Sequence, residues 1–222
     1  MTRLLMLVEG QSEEIFVKQT LAPHLLQHGV FVKPIVLWTK RLASGGGYRG
    51  GVSSWNQIRR SLLPLTSDTD AWVTTLLDFY GLPEDVPGYQ DALLPGNPRE
   101  RVTGLETRLA AEINHQRFIP FLALHEFEAW VFCNATVLAS HFDRSDLADK
   151  VTQAVAYAGE PELINHGKNT HPKARLQGMA TGYKETSDGP TLMGKIGTQA
   201  IRAACPHFAE WLVRLERLGG GG

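Results

Sequence analysis

Three strand-length apolar runs in this sequence each give way to an acid: residues 4–8 to Glu9, residues 71–77 to Asp78, and residues 118–124, past His125, to Glu126. A short unbroken apolar run is the mark of a strand buried on both faces. Helical patterns lie between the runs. One starts at a Ser12 cap and carries Ile15, Phe16, Leu21, Leu25 and Leu26, with Pro23 as a kink. A strand follows over residues 30–38, in which Pro34 points to a sheet edge or an irregularity. Then come a glycine-rich loop at 41–51, a helix at 55–63, a long Pro- and Gly-bearing loop at 80–98, and a helix at 99–115. Alternation of this kind predicts an α/β fold with a mainly parallel sheet flanked by helices.

Beyond Glu126 the pattern is helical: 126–140, 146–157, a short piece at 161–164, a helix after Pro172, then 193–204 and 207–218, with breaks at 167–171 and 186–190. The expected organisation is a core over 1–130, a helical C-terminal extension over 131–218 packed on it, and a disordered tail at 219–222. Trp130, Trp211, Phe127, Phe132 and Phe208 fall at helical spacings and are read as core.

Composition narrows the function classes. Hydrophobic residues at 43% and charged residues at 20% describe a globular chain. No apolar stretch approaches the roughly 18 residues of a membrane span, and the N-terminus has no secretory pattern, so a soluble cytoplasmic protein without a membrane role is expected. A net charge of −1 leaves no whole-molecule pull on nucleic acid, so such binding needs a local basic face. Cys133 and Cys205 lie far apart in sequence and are read as buried, reduced thiols. The eight histidines are read as scattered, without an H-x-x-x-H pair, and His125, His171 and His207 as capping or packing residues.

Ligands of an open parallel sheet gather at the carboxyl ends of its strands. Glu9, Asp78 and Glu126 stand at such ends, and Gly10 lets the chain turn so that Glu13 can point back at Glu9. Clustered carboxylates suit Mg²⁺ or Mn²⁺. Each acid also has a plain reading: Glu13 and Glu14 favour a helix N-terminus, and Asp78 could cap a turn. The spacing by itself supports a metal or phosphate site at the sheet edge.

The motif VEGQSEE on a strand-to-helix turn resembles the first motif of the Toprim domain, matched by Glu9, Gly10 and Glu13. Asp78-Phe79-Tyr80 stands where that domain carries D-x-D. Over most of the chain VEGQSEE, LLDFYGLP, PFLALHEFEAW, HPKARL and IRAACPHFAEWLVRLE resemble the bacterial Toprim-like domain-of-unknown-function family 4276, related to nucleases of the overcoming-lysogenisation-defect class. The resemblance implies a Toprim-like core and Mg²⁺- or Mn²⁺-dependent phosphodiester hydrolysis of DNA or RNA. It also implies an effector role in anti-phage defence beside an ABC- or AAA-type ATPase, and leaves a homodimer open.

On this resemblance Glu9, Glu13 and Asp78 hold metal, with Glu9 or Glu13 as general base. Lys173 stands near the scissile phosphate, with Lys184 behind it as a lesser candidate. Tyr80 replaces the second Asp, so a further ligand is sought in His125-Glu126-Phe127-Glu128. Glu126 and Glu128 would diverge by about 200° in an α-helix and could share a metal only where the segment is extended or just beginning its helix. Gly10, Tyr80, His125, Arg49 and Arg175 are the candidate substrate contacts. The rival reading is a non-catalytic nucleic-acid-binding or assembly module; a third is hydrolysis of a small phosphorylated nucleotide.

Overall fold

The computed structural model describes residues 1–37, 52–164, 167 and 169–220; Arg49 and the rest of the 41–51 loop lie outside the described residues. The sheet is parallel, in the order β2 (Val30–Val36), β1 (Thr2–Val8), β3 (Ala71–Asp78) and β4 (Phe118–Ile119), with β5 (Leu122–Ala123) also paired to β3. β2 is an edge strand, as Pro34 requires. β1 is central: Leu4, Met6 and Val8 enter one core and Leu7 another, so neither face of the strand has room for polar residues.

The single strand expected at 118–124 is corrected to β4 and β5. Pro120 has no N–H to give the ladder, and the side chain of Thr75 fills the gap. Its hydroxyl donates to Phe121 O at 2.8 Å and accepts from Phe121 N at 2.8 Å.

The first helix starts two residues earlier than the Ser12 cap implied, with Gly10 as its N-cap. α1 (Gln11–Phe16), a π-helical turn (Val17–Leu21) and α2 (Ala22–Gln27) form one continuous rod. Pro23 lacks the N–H that would reach back one turn; the wider π turn absorbs this without ending the helix. Leu26, assigned to the apolar face, is exposed. α3 (Trp55–Thr66) runs past Leu63 through Pro64, the long loop contains the short α4 (Tyr89–Ala92), and α5 (Pro98–Ile113) covers the same sheet face as α3.

The second half departs most from expectation. Residues 126–140 are not one helix: a 3₁₀ segment (Phe127–Cys133) gives way to α6 (Ala135–His141), whose first turn Asn134 caps by accepting from Val137 N at 3.1 Å. α7 (Asp146–Ala158), a 3₁₀ turn (Pro161–Leu163) and α8 (Pro172–Met179) follow. The break expected at 186–190 is instead the start of α9 (Glu185–Ile196). Asp188 accepts from Lys184 N at 2.6 Å, and Glu185 and Asp188 match the positive end of the helix dipole. The chain breaks at Gly197 (φ +80°), then continues as α10 (Thr198–Ala204) and α11 (Pro206–Glu216).

These helices share one core with the sheet. Trp211 stacks on Phe121 at 4.1 Å and its Nε1 donates to Thr74 Oγ1 at 3.0 Å; Trp130, Phe127, Phe132 and Phe208 are buried with it, as read from the sequence. α9 packs on α1, which brings its N-terminus to the carboxyl edge of the sheet. Cys205 is buried and Cys133 half-buried; both are free, with sulfurs 3.3 Å apart despite the sequence distance. Arg217–Gly220 form a final 3₁₀ turn held by Thr2 Oγ1 donating to Leu218 O at 2.8 Å, where a frayed tail was expected from 219.

Candidate functional site

Parallel register carries the three strand-end acids to one edge, since Val8 is level with Leu76 and Asp78 with Ala123. Gly10 N donates to Glu13 Oε2 at 2.9 Å, turning Glu13 back toward Glu9. Asp78 Oδ1 accepts from Phe127 N at 2.9 Å, which fixes how the chain leaves β5. Glu126 is therefore extended (φ −140°, ψ 147°) and Glu128 lies in the first 3₁₀ turn. The backbone there is extended and then just begins its helical turn, the condition the sequence reading set for the two acids to share a metal, and both raise the proton affinity of Asp78.

The electrostatics are those of packed, poorly compensated carboxylates. Burial, then Glu13, pushes Glu9 up to about 7, against the opposing pull of the Asp78 backbone N–H and Lys173. Burial also raises Glu13, and it holds Asp78 and Glu128 well above the usual carboxylate range. The negative charge of Glu128 adds to the effect on Asp78, followed by Glu9, Glu13 and Glu126. Glu128 is 1% exposed and neither of its oxygens has a hydrogen-bond partner; Glu9 Oε2 is likewise buried and unpartnered. An unsatisfied buried carboxylate is costly, and cation coordination is one of the few ways to satisfy it.

Lys173 is the cation of the site. Burial pulls its ammonium down, but Glu128 and Glu185 outweigh that and raise it. Its Nζ pairs with Glu185 Oε2 at 3.0 Å. Glu126 Oε2 accepts from Lys173 N at 2.9 Å and lies 2.8 Å from His171 Nδ1, which also lies 3.4 Å from Ala174 N at the start of α8. The imidazole stacks under Tyr80 at 5.1 Å, and Tyr80 is 42% exposed at the rim.

Three participants were not anticipated as part of the site: Glu185, His171 and Tyr183. Glu185 stands immediately before the break expected at 186–190. Tyr183 has a buried hydroxyl without a hydrogen-bond partner, and its proton affinity is raised by burial, then by Glu128 and Glu185. A Cβ on Gly189 would sit 2.9 Å from that hydroxyl. Gly189→Ala should therefore destabilise the fold by roughly 1–2 kcal/mol through overpacking, although alanine is the better helix former. A lowered urea midpoint would show it; a raised one would mean Tyr183 moves freely.

The other expected contacts are placed as follows. Gly10 serves the turn that aims Glu13. His125 is buried and its carbonyl accepts from Tyr80 N at 3.0 Å. Arg175 Nε donates to Thr170 O at 2.6 Å, tying it to the loop before α8. Lys184 contributes its backbone N–H to Asp188.

Glu9, Glu13, Asp78, Glu126 and Glu128 form an all-oxygen donor set, the kind hard divalent cations prefer, and the unpartnered oxygens of Glu128 and Glu9 fit such an ion. Among the described residues, no three of these acids offer oxygens within 4.8 Å of one another. A cation held by three of them would have to draw their oxygens together.

The fold and site define an α/β protein with an acid cluster, one lysine and a histidine–tyrosine stack at the carboxyl edge of a parallel sheet. Residues 8–216 match the family described as Domain of unknown function (DUF4276), and the chain belongs to that family. No curated protein matches it. Among solved structures, the C-terminal region of the Xanthomonas campestris pv. campestris OLD protein aligns over 97% of this chain and 98% of that chain, at 14% identity and a TM-score of 0.31. No helix among the described residues is long and apolar enough to cross a membrane.

Proposed function

We propose that this chain is a Toprim-type, Mg²⁺- or Mn²⁺-dependent nuclease that hydrolyses DNA or RNA in the cytoplasm, as an anti-phage effector working with an ATPase partner. The observation that carries the reading is the Glu128 carboxylate, buried with both oxygens unpartnered among acids at the sheet edge. Glu9, Glu13, Asp78, Glu128 and the free oxygen of Glu126 would hold the metal. Bound there, a divalent ion supplies charge neutralisation at the phosphoryl oxygens and lowers the proton affinity of water.

The protein's own groups supply the rest. Glu9 or Glu13, whichever carboxylate oxygen the ion leaves unengaged, would accept the proton of an attacking water. The Lys173 ammonium is positioned to leave Glu185 for a phosphate oxygen, with no change of charge. Tyr80, stacked on His171, offers an exposed ring face to a base. With a net charge of −1 the chain has little grip on nucleic acid of its own, which gives an ATPase partner the task of recruitment.

The test is cleavage of single- and double-stranded DNA and of RNA, with Mg²⁺ and with Mn²⁺, alone and with an ABC- or AAA-type ATPase added. Lys173→Ala should lower the rate by about 10²-fold while leaving metal affinity in place. Metal binding without cleavage under all of these conditions would instead support the non-catalytic module, a reading that Tyr80 in place of a second acid favours.

A further inference from the structure

A second cluster of ligating side chains lies away from the acid cluster, where the N-terminal rod meets the C-terminal helix. The sequence 24–28 reads H-L-L-Q-H, so the reading of the histidines as scattered is corrected: His24 on α2 and His28 at its C-cap are four apart, with ring centroids 5.1 Å apart. The end of α11 delivers Glu216 between them. Its Oε1 lies 2.7 Å from His24 Nε2 and 3.7 Å from His28 Nε2, and all three donor atoms lie within 4.8 Å of one another.

We propose that His24, His28 and Glu216 bind a transition-metal cation of the Zn²⁺ class, which clasps the N-terminal rod to the C-terminal helix. Two imidazoles and a carboxylate favour a borderline ion such as Zn²⁺ over Mg²⁺. Donors on a tetrahedral Zn²⁺ stand roughly 3.4 Å apart, given bonds of about 2.0–2.1 Å, and the two separations to Glu216 fall on either side of that spacing. His24 is already oriented: its Nδ1 lies 3.2 Å from Thr198 Oγ1, which leaves Nε2 facing the cluster, as in many metal-ligating histidines.

The surroundings allow an entry path and a counter-charge. The side chains of His24 and Glu216 are 9% and 11% exposed, whereas His28 is 42% exposed, so the site is open on one side only. Arg202 Nη1 lies 3.0 and 3.2 Å from the two oxygens of Glu216. A carboxylate has lone pairs for both, so Arg202 can remain an outer partner while Oε1 turns to the metal. The Arg217–Gly220 turn passes directly over this corner, and a Cβ on Gly219 would collide with His28 O at 1.7 Å. Three protein ligands leave a position for water or for a group from a partner.

The test uses the full chain stripped with chelator and titrated with Zn²⁺ by calorimetry and thermal melting, as wild type and in a Glu128→Gln background, with His28→Ala and His24→Gln each made in that same background. Glu128→Gln should take up one equivalent, with a rise in Tm, and wild type that equivalent besides any ion its acid cluster holds. His28→Ala, at an exposed position that should fold normally, should lose at least roughly 100-fold in affinity together with the Tm shift, since removal of a ligand exceeds the loss of an outer-shell contact. Uptake that survives in both histidine variants, or no uptake by wild type at pH 7.5, would overturn the site and leave a His24–Glu216–Arg202 ion network. Because Glu128→Gln disables the acid cluster, failure here is distinguishable from failure of the nuclease reading.

Discussion

Glu128→Gln should raise the Tm of the metal-free protein at pH 8 while removing Mg²⁺ binding and any cleavage that depends on it. The side chain is buried, both oxygens lack partners, and burial together with Glu126, Glu185 and Glu13 works against its charge more strongly than Lys173 supports it. An amide of the same shape carries no charge to desolvate, and its N–H groups can donate to neighbouring acids. The expected gain is about 1–3 kcal/mol, reduced from the full burial cost because a buried amide also needs partners. For a chain of this length that is roughly 2–4 °C per kcal/mol. The same substitution should weaken Mg²⁺ by at least about 10²-fold. A fall in Tm with metal binding unchanged would make Glu128 a structural acid.

Stability gained where function is lost is the signature of a site held together against its own charge. It also explains which parts of the site were legible in the sequence. Glu9, Glu13 and Asp78 follow from local rules: an apolar run defines a strand, its end defines the sheet edge, and Gly10 permits the turn. Glu126 and Glu128 were found as candidates, but whether they could act together depended on backbone shape. That shape is set across the sheet, by Asp78 Oδ1 taking the N–H of Phe127, and no local pattern encodes it.

Glu185 was lost for a related reason. The segment E-T-S-D-G-P reads as a loop because glycine and proline follow a polar run. Asp188 caps that run into a helix, and packing of α9 on α1 carries Glu185 to Lys173. Long-range packing decided both. His24 and His28, by contrast, were visible at helical spacing and were overlooked. Their third ligand, Glu216, comes from the far end of the chain, and nothing local points to it.

The metal-free protein should lose stability as pH rises from 5 to 8, and Mg²⁺ should restore it at pH 8 but hardly alter it at pH 5. An unfolded Glu9 releases its proton near 4.5, whereas the folded one holds it to about 7. Between those values the folded state binds more protons, so each rising pH unit costs it about 1.4 kcal/mol, and the loss is complete above the folded value. Over that window Glu9 alone accounts for about 3 kcal/mol, and Glu13, Asp78 and Glu128 are displaced in the same direction. The fall in Tm should therefore reach roughly 6–12 °C. Mg²⁺ competes with those protons, so its stabilisation belongs to the ionised cluster and grows with pH. His207 tilts stability the same way: burial lowers its proton affinity, but Glu106 beside it raises it more, and its contribution fades as pH climbs. Glu9→Gln should remove the share of the Mg²⁺-reversible slope that Glu9 supplies and leave the part due to His207. A metal-free Tm that stays level from pH 5 to 8 would mean that the acids at the sheet edge are not buried together.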